Sequence, residues 1–123
     1  MPTQPEHYQQ AQHNERFFGS LDLVSTPFLD WAVTALFYSA LHYLRALMAK
    51  FNYMNVASYG DMDKAFDRIA LLKRNAHVYD DYRSLKDDSW AARYNMWRST
   101  LAEVVDSRDN EFARIRAFVA SSI

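Results

Sequence analysis

Cysteine is absent from this chain, which excludes a disulfide framework, a thiolate metal ligand and a thiol nucleophile together. Two glycines and three prolines among 123 residues are too few turn-formers for a protein built from hairpins. Neither sign of charge dominates. Fourteen Lys and Arg against 15 Asp and Glu leave a net charge of -1, so any contact with nucleic acid or an acidic membrane has to come from a local patch. The first ten residues, MPTQPEHYQQ, carry neither a basic flank nor an apolar run, so no signal peptide is expected, and a cytoplasmic address fits the missing cysteine.

What is present is apolar and aromatic. Half the residues are hydrophobic and 15% aromatic, well beyond a disordered composition, and the length suits one domain over residues 1 to 123 with a core of its own.

The longest apolar-rich run, Phe28 to Phe51, predicts a central helix. Leu29, Val33, Leu36, Phe37, Ala40, Leu44, Leu47, Met48 and Phe51 fall at three- and four-residue steps and form a core seam. Thr26-Pro27 marks its expected start. Asp30, His42, Arg45 and Lys50 interrupt the run and argue against a membrane span. A second face carries Trp31, Ala35, Tyr38, His42 and Arg45, aromatic bodies with polar tips. That face suits a second buried contact, expected to be the seam of a homodimer.

Four further segments carry helical signals. Residues 5 to 18 open on Pro5-Glu6 and align Tyr8, Ala11, Glu15 and Phe18, with an end anywhere up to Val24. Ser58 and Asp61 form a capping-box pattern ahead of a helix burying Met62, Phe66, Ile69 and Leu72 or Lys73, with a stop or bend near Arg74-Asn75. Ala76 to about Asp88 buries Val78, Tyr82 and Leu85, with Asp80 and Arg83 as an exposed pair. Ser89 to Met96 reads equally as helix or turn. Thr100 and Glu103 form a second capping box, after which Leu101, Val104, Val105, Phe112, Ile115, Phe118 and Val119 line a last helix. Arg108 breaks that stripe, as a residue that snorkels or pairs across an interface would. The sum is an all-α, up-down bundle of four to five helices.

Histidines at 7, 13, 42 and 77 show no metal-ligand spacing, so no metal and no cofactor is expected. No Gly-rich phosphate loop is present. His42, mid-helix between Tyr38 and Arg45, is the candidate acid or base; the alternative is a hydrogen-bonded histidine inside the bundle or at a dimer seam. Arg93-Tyr94 and Trp97-Arg98, with Arg83 upstream, interleave cations and aromatics as an RNA-binding patch would. The alternative packs Trp90, Tyr94 and Trp97 and pairs the arginines with Asp80, Asp87 or Asp88.

Trp31-Ala32-Val33 with Leu36-Phe37-Tyr38-Ser39-Ala40-Leu41-His42-Tyr43, followed by Tyr82-x-x-Leu85-x-x-x-Ser89-x-x-Ala92-Arg93-Tyr94, resembles the small stand-alone bacterial branch of the HEPN superfamily, over roughly residues 11 to 120. The resemblance implies a dimeric helical bundle whose protomers share a polar cleft. It also implies either a metal-independent ribonuclease of toxin-antitoxin or phage-defence systems, or a nucleotide-binding or scaffolding relative. The ribonuclease signature of that superfamily sets an arginine between one and two helical turns before a histidine. Here Arg74 stands two intervening residues before His77 and Arg68 stands eight, and both miss it. The expected function is therefore a module that binds RNA, a nucleotide or a partner protein. The competing expectation is a ribonuclease using His42 and Arg93.

Overall fold

The computed structural model describes residues 2–123, and among them every regular element is helical. The order is α1 (Gln4–Gly19), α2 (Leu29–Lys50), α3 (Tyr59–Arg68), α4 (Ala70–Arg74), α5 (Ala76–Tyr94) and α6 (Leu101–Ser107). A single π-helical turn (Arg108–Phe112) then leads into α7 (Ala113–Ser122). Over the described residues the fold is all-α, and none of their helices is long and apolar enough to cross a membrane.

α2 is the central strut, flanked by α1, α5 and α7. Fifteen of its 22 residues are buried, so it is covered on most sides. The seam from Val33 through Leu36, Phe37, Ala40, Leu44 and Leu47 to Met48 is almost fully inaccessible, whereas Phe51 lies past the helix end and is exposed. The helix starts later than Thr26-Pro27 suggests. Thr26 Oγ1 accepts from the Phe28 amide at 3.1 Å, which spends the hydroxyl on the preceding turn, and Phe28 takes the N-cap position without a side-chain bond.

α1 is capped by Thr3, whose Oγ1 accepts from the Glu6 amide. Small residues let α1 approach α2 closely: the Ser39 hydroxyl donates to the Ala11 carbonyl at 2.7 Å, and one helical turn on Tyr43 donates to Glu15 at 2.7 Å. The inward side of α1 is His7, Ala11 and Phe18, and the helix stops at Gly19.

Two helices stand where one was expected between Ser58 and Arg74. Ile69 takes an extended conformation, with ψ at 115°, which keeps its side chain in the core while α4 sets off with Leu72 buried. Only half of the expected Ser58 box forms. Ser58 Oγ accepts from the Asp61 amide at 3.1 Å, but the Asp61 carboxylate accepts from Ala57, one residue earlier. The Thr100–Glu103 box is reciprocal, with bonds of 3.2 and 2.9 Å. α5 runs unbroken to Tyr94, so Ser89 to Tyr94 is helix. The Asp80–Arg83 pair does not form, because Arg83 lies back over the Tyr79 ring, 5.8 Å from its centre.

The break that Arg108 makes in the last apolar stripe has a structural cause. Ser107 and Phe112 are both buried, five residues apart, and the π turn between them absorbs the extra residue. Arg108 thereby rotates out of the core and pairs with Asp109 at 2.8 and 3.2 Å.

Candidate functional site

Seven residues of α2 are not buried: Leu29, Asp30, Trp31, Tyr38, His42, Arg45 and Lys50. Trp31, Tyr38, His42 and Arg45 are four of the five residues of the second face, so the polar-tipped side of α2 is its open side.

Arg93 arrives on this face from the last turn of α5. Its Nη1 donates to the Tyr38 hydroxyl at 2.7 Å, its Nη2 to the Tyr59 hydroxyl at 3.2 Å, and its Nε to the Ser89 carbonyl at 3.3 Å. The guanidinium also lies 5.2–5.8 Å from the ring centres of Phe37, Tyr38 and Tyr94. Burial works against its charge, but the Tyr59 bond and the surrounding phenols outweigh that and hold its pKa above the ordinary value. Lys86 places a second cation 4.6 Å from the Tyr59 ring centre. Arg45 adds a third. Its Nε is buried with no hydrogen-bond partner, and burial lowers its pKa despite the nearby phenols of Tyr82, Tyr59 and Tyr38 and the Asp61 carboxylate.

His42 makes its contact on the other side, where its Nδ1 lies 3.0 Å from the Nδ1 of His7. One of these nitrogens donates and the other accepts, so the two rings are opposite tautomers at that atom. Burial, then the His7 ring and Arg45, push the His42 pKa down to about 4; burial and Arg45 also lower that of His7, against Glu6. His42 is thus a hydrogen-bonded, neutral histidine at neutral pH. Arg93 reaches Tyr38, one turn before His42, and no hydrogen bond joins the two candidate catalytic residues.

The proposed RNA-binding residues divide. Arg93 and Tyr94 belong to one patch with Trp90, whose ring centre is 4.4 Å from that of Tyr94. Arg98 follows on the exposed connection after α5, with no ion pair among the described residues. Arg83 does not join them. It lies ten residues earlier on α5, about 15 Å along the axis. The packed alternative is also corrected: Trp90, Tyr94 and Trp97 are 46%, 61% and 55% exposed, and none of the arginines forms an ion pair with Asp80, Asp87 or Asp88.

Three further residues belong to the site. His7 shares the inward spacing of Ala11 and Phe18, a periodic signal that the sequence carries for Tyr8 as well. Tyr59 and Lys86 come from helices whose approach to α2 no local pattern discloses. Among the described residues, no group of three or more His, Asp or Glu side chains gathers as a metal would need. Two cavities of about 550 Å³ each lie along α1 and the C-terminal helices; of the arginines in their walls Arg108 and Arg116 are paired with Asp109 and Glu15, and Arg16 stands at the rim of one of them without an aromatic surface of the kind Trp90 and Tyr94 expose. What sets the α2 face apart is that Arg93, Lys86 and Arg45 gather there around the rings of Tyr38 and Tyr59 without a carboxylate among the described residues bonded to any of them. Comparison with family models, curated proteins and solved structures gives no match to this chain.

Proposed function

We propose that the chain is a HEPN-like helical module that binds RNA or a nucleotide on the open face of α2, at the end where α5 closes on it. The observation that carries this reading is Arg93: a guanidinium held in place by two phenols and a carbonyl rather than by a carboxylate, beside exposed Trp90 and Tyr94. A cation fixed in this way keeps its charge for an incoming acceptor, and the exposed rings give bases a surface on which to stack. With a net charge of -1 the attraction is local and modest. Replacing Arg93 and Arg98 together with alanine is expected to abolish binding of a labelled single-stranded RNA and to flatten its salt dependence. Unchanged affinity and salt slope in that double variant would remove the patch from consideration.

The same reading makes the protein a homodimer, with the face of Trp31, Tyr38, His42 and Arg45 bordering a cleft shared with the partner's copy, in which Trp31 keeps one side of its ring open beside Arg93. Its motivation is an indole 58% exposed on the most buried helix of the fold. Sedimentation at micromolar concentration is expected to give twice the chain mass, and a clean monomer overturns the dimer.

A further inference from the structure

Asp30, Trp31 and Thr34 at the start of α2 and Ala92 and Arg93 at the end of α5 line a cavity of about 190 Å³. Pockets that enclose a whole small molecule run to about 300–1,000 Å³, so this one takes a single flat group. Its polar walls are complementary. The Thr34 hydroxyl is turned back on its own helix, donating to the Asp30 carbonyl at 2.8 Å. That leaves the half-buried Asp30 carboxylate, which has no hydrogen-bond or ion-pair partner among the described residues. Arg93 lines the same cavity without pairing with it. A guanidinium has five N–H groups, and three of those on Arg93 are used within the fold, so two remain. The exposed Trp31 indole supplies a π-face, and Ala92 keeps the cavity open by its small size.

We propose that this cavity holds a guanine base of the bound RNA or nucleotide, an inference that rests on the reading above. A carboxylate offers acceptors only, and guanine presents two parallel donors, N1–H and N2–H, which it can take together. Adenine and cytosine set a ring acceptor beside their amino group, and uracil flanks its one N–H with two carbonyls, so each brings a lone pair against Asp30. The other edge of guanine, O6 and N7, is the acceptor pair that arginine matches best. Asp30 and Arg93 thus read the two edges of one base while Trp31 stacks on its face.

Fluorescence anisotropy with a short labelled oligouridylate, and with the same oligonucleotide carrying one central guanine, tests this. The guanine-containing probe is expected to bind about tenfold tighter or more. In Asp30→Asn the ratio between the two probes falls to about one, and a xanthine in place of guanine, which exchanges the N2–H donor for a carbonyl acceptor, becomes the preferred base. Equal affinity for both probes in the unaltered protein overturns the guanine site while leaving RNA binding intact. A guanine preference that survives Asp30→Asn also overturns it. Absence of binding to either probe overturns the RNA reading on which it rests.

Discussion

Phe37→Ala is expected to destabilise the fold by about 3–5 kcal/mol and, in whatever remains folded, to loosen the grip on Arg93. Phe37 is fully buried, and its ring packs with those of Tyr38, Tyr59 and Tyr82 at centroid distances of 5.2–6.3 Å, with the Arg93 guanidinium 5.8 Å from its centre. Removing it opens a cavity where α2, α3 and α5 meet, and the two phenols that hold Arg93 lose their common support. Urea denaturation followed by circular dichroism gives the stability change. Phe37→Leu, which keeps most of the volume, is expected to cost much less, so RNA binding can be compared in a protein that remains folded. A loss below about 1 kcal/mol for Phe37→Ala would show that the core is not centred on this ring.

The seam containing Phe37 was legible because its burial follows from periodicity alone: Val33, Leu36, Phe37, Ala40, Leu44, Leu47 and Met48 stand at helical steps and are all buried. The open face was legible for the same reason, as the complement of that stripe with polar tips. Helix ends were harder, since they turn on single hydrogen bonds. Thr26 could cap a helix or close a turn, and it closes a turn; Ser58 was read correctly while its partner Asp61 bonds one residue away. The Ile69 break carries no glycine or proline, and tertiary burial of the isoleucine sets it. Arg108 marked an irregularity in the sequence that only the backbone resolves, since an arginine in an apolar stripe looks the same whether it snorkels or is turned aside by a π turn.

The site divides along the same line. Residues that sit within one helix of each other, such as Arg93 and Tyr94, could be grouped from spacing, whereas the two phenols on Arg93 come from positions 55 and 34 residues away. The four histidines seemed scattered because two of them meet across 35 residues. No periodic signal reports which residue of α1 faces His42, only that some inward residue does.

The histidine pair makes the protein's stability depend on pH in a definite window. His42 has an ordinary value of 6.5 and a folded value of about 4, so between these the unfolded chain takes up a proton that the folded one refuses. Stability is therefore highest above pH 6.5, falls as the pH is lowered toward 4, and loses no more on this account below it. Protonating His7 as well would set two cations 3.0 Å apart beside Arg45, so the pair titrates as a unit. With allowance for the solvent that His42 still meets, the loss is about 1–2 kcal/mol. Carboxylates act lower on the scale: Asp61, Glu103 and Asp109, all held down mainly by hydrogen bonds, lose stability in more acid solution, while Asp88, raised chiefly by burial, acts in the opposite sense. Urea midpoints measured from pH 7.5 down to 4.5 are expected to fall, with the slope much reduced in His42→Gln and in His7→Gln. A flat wild-type profile, or a slope unchanged in both variants, would show that the pair does not titrate as described. The same low pKa bears on catalysis, since an imidazole this weakly basic, with one nitrogen already engaged by His7, is a poor acceptor for a ribose 2'-hydroxyl proton at neutral pH. No RNA cleavage above background is expected in EDTA. Cleavage that survives chelation and disappears in both His42→Ala and Arg93→Ala, with the helical content intact, would make the protein a ribonuclease instead.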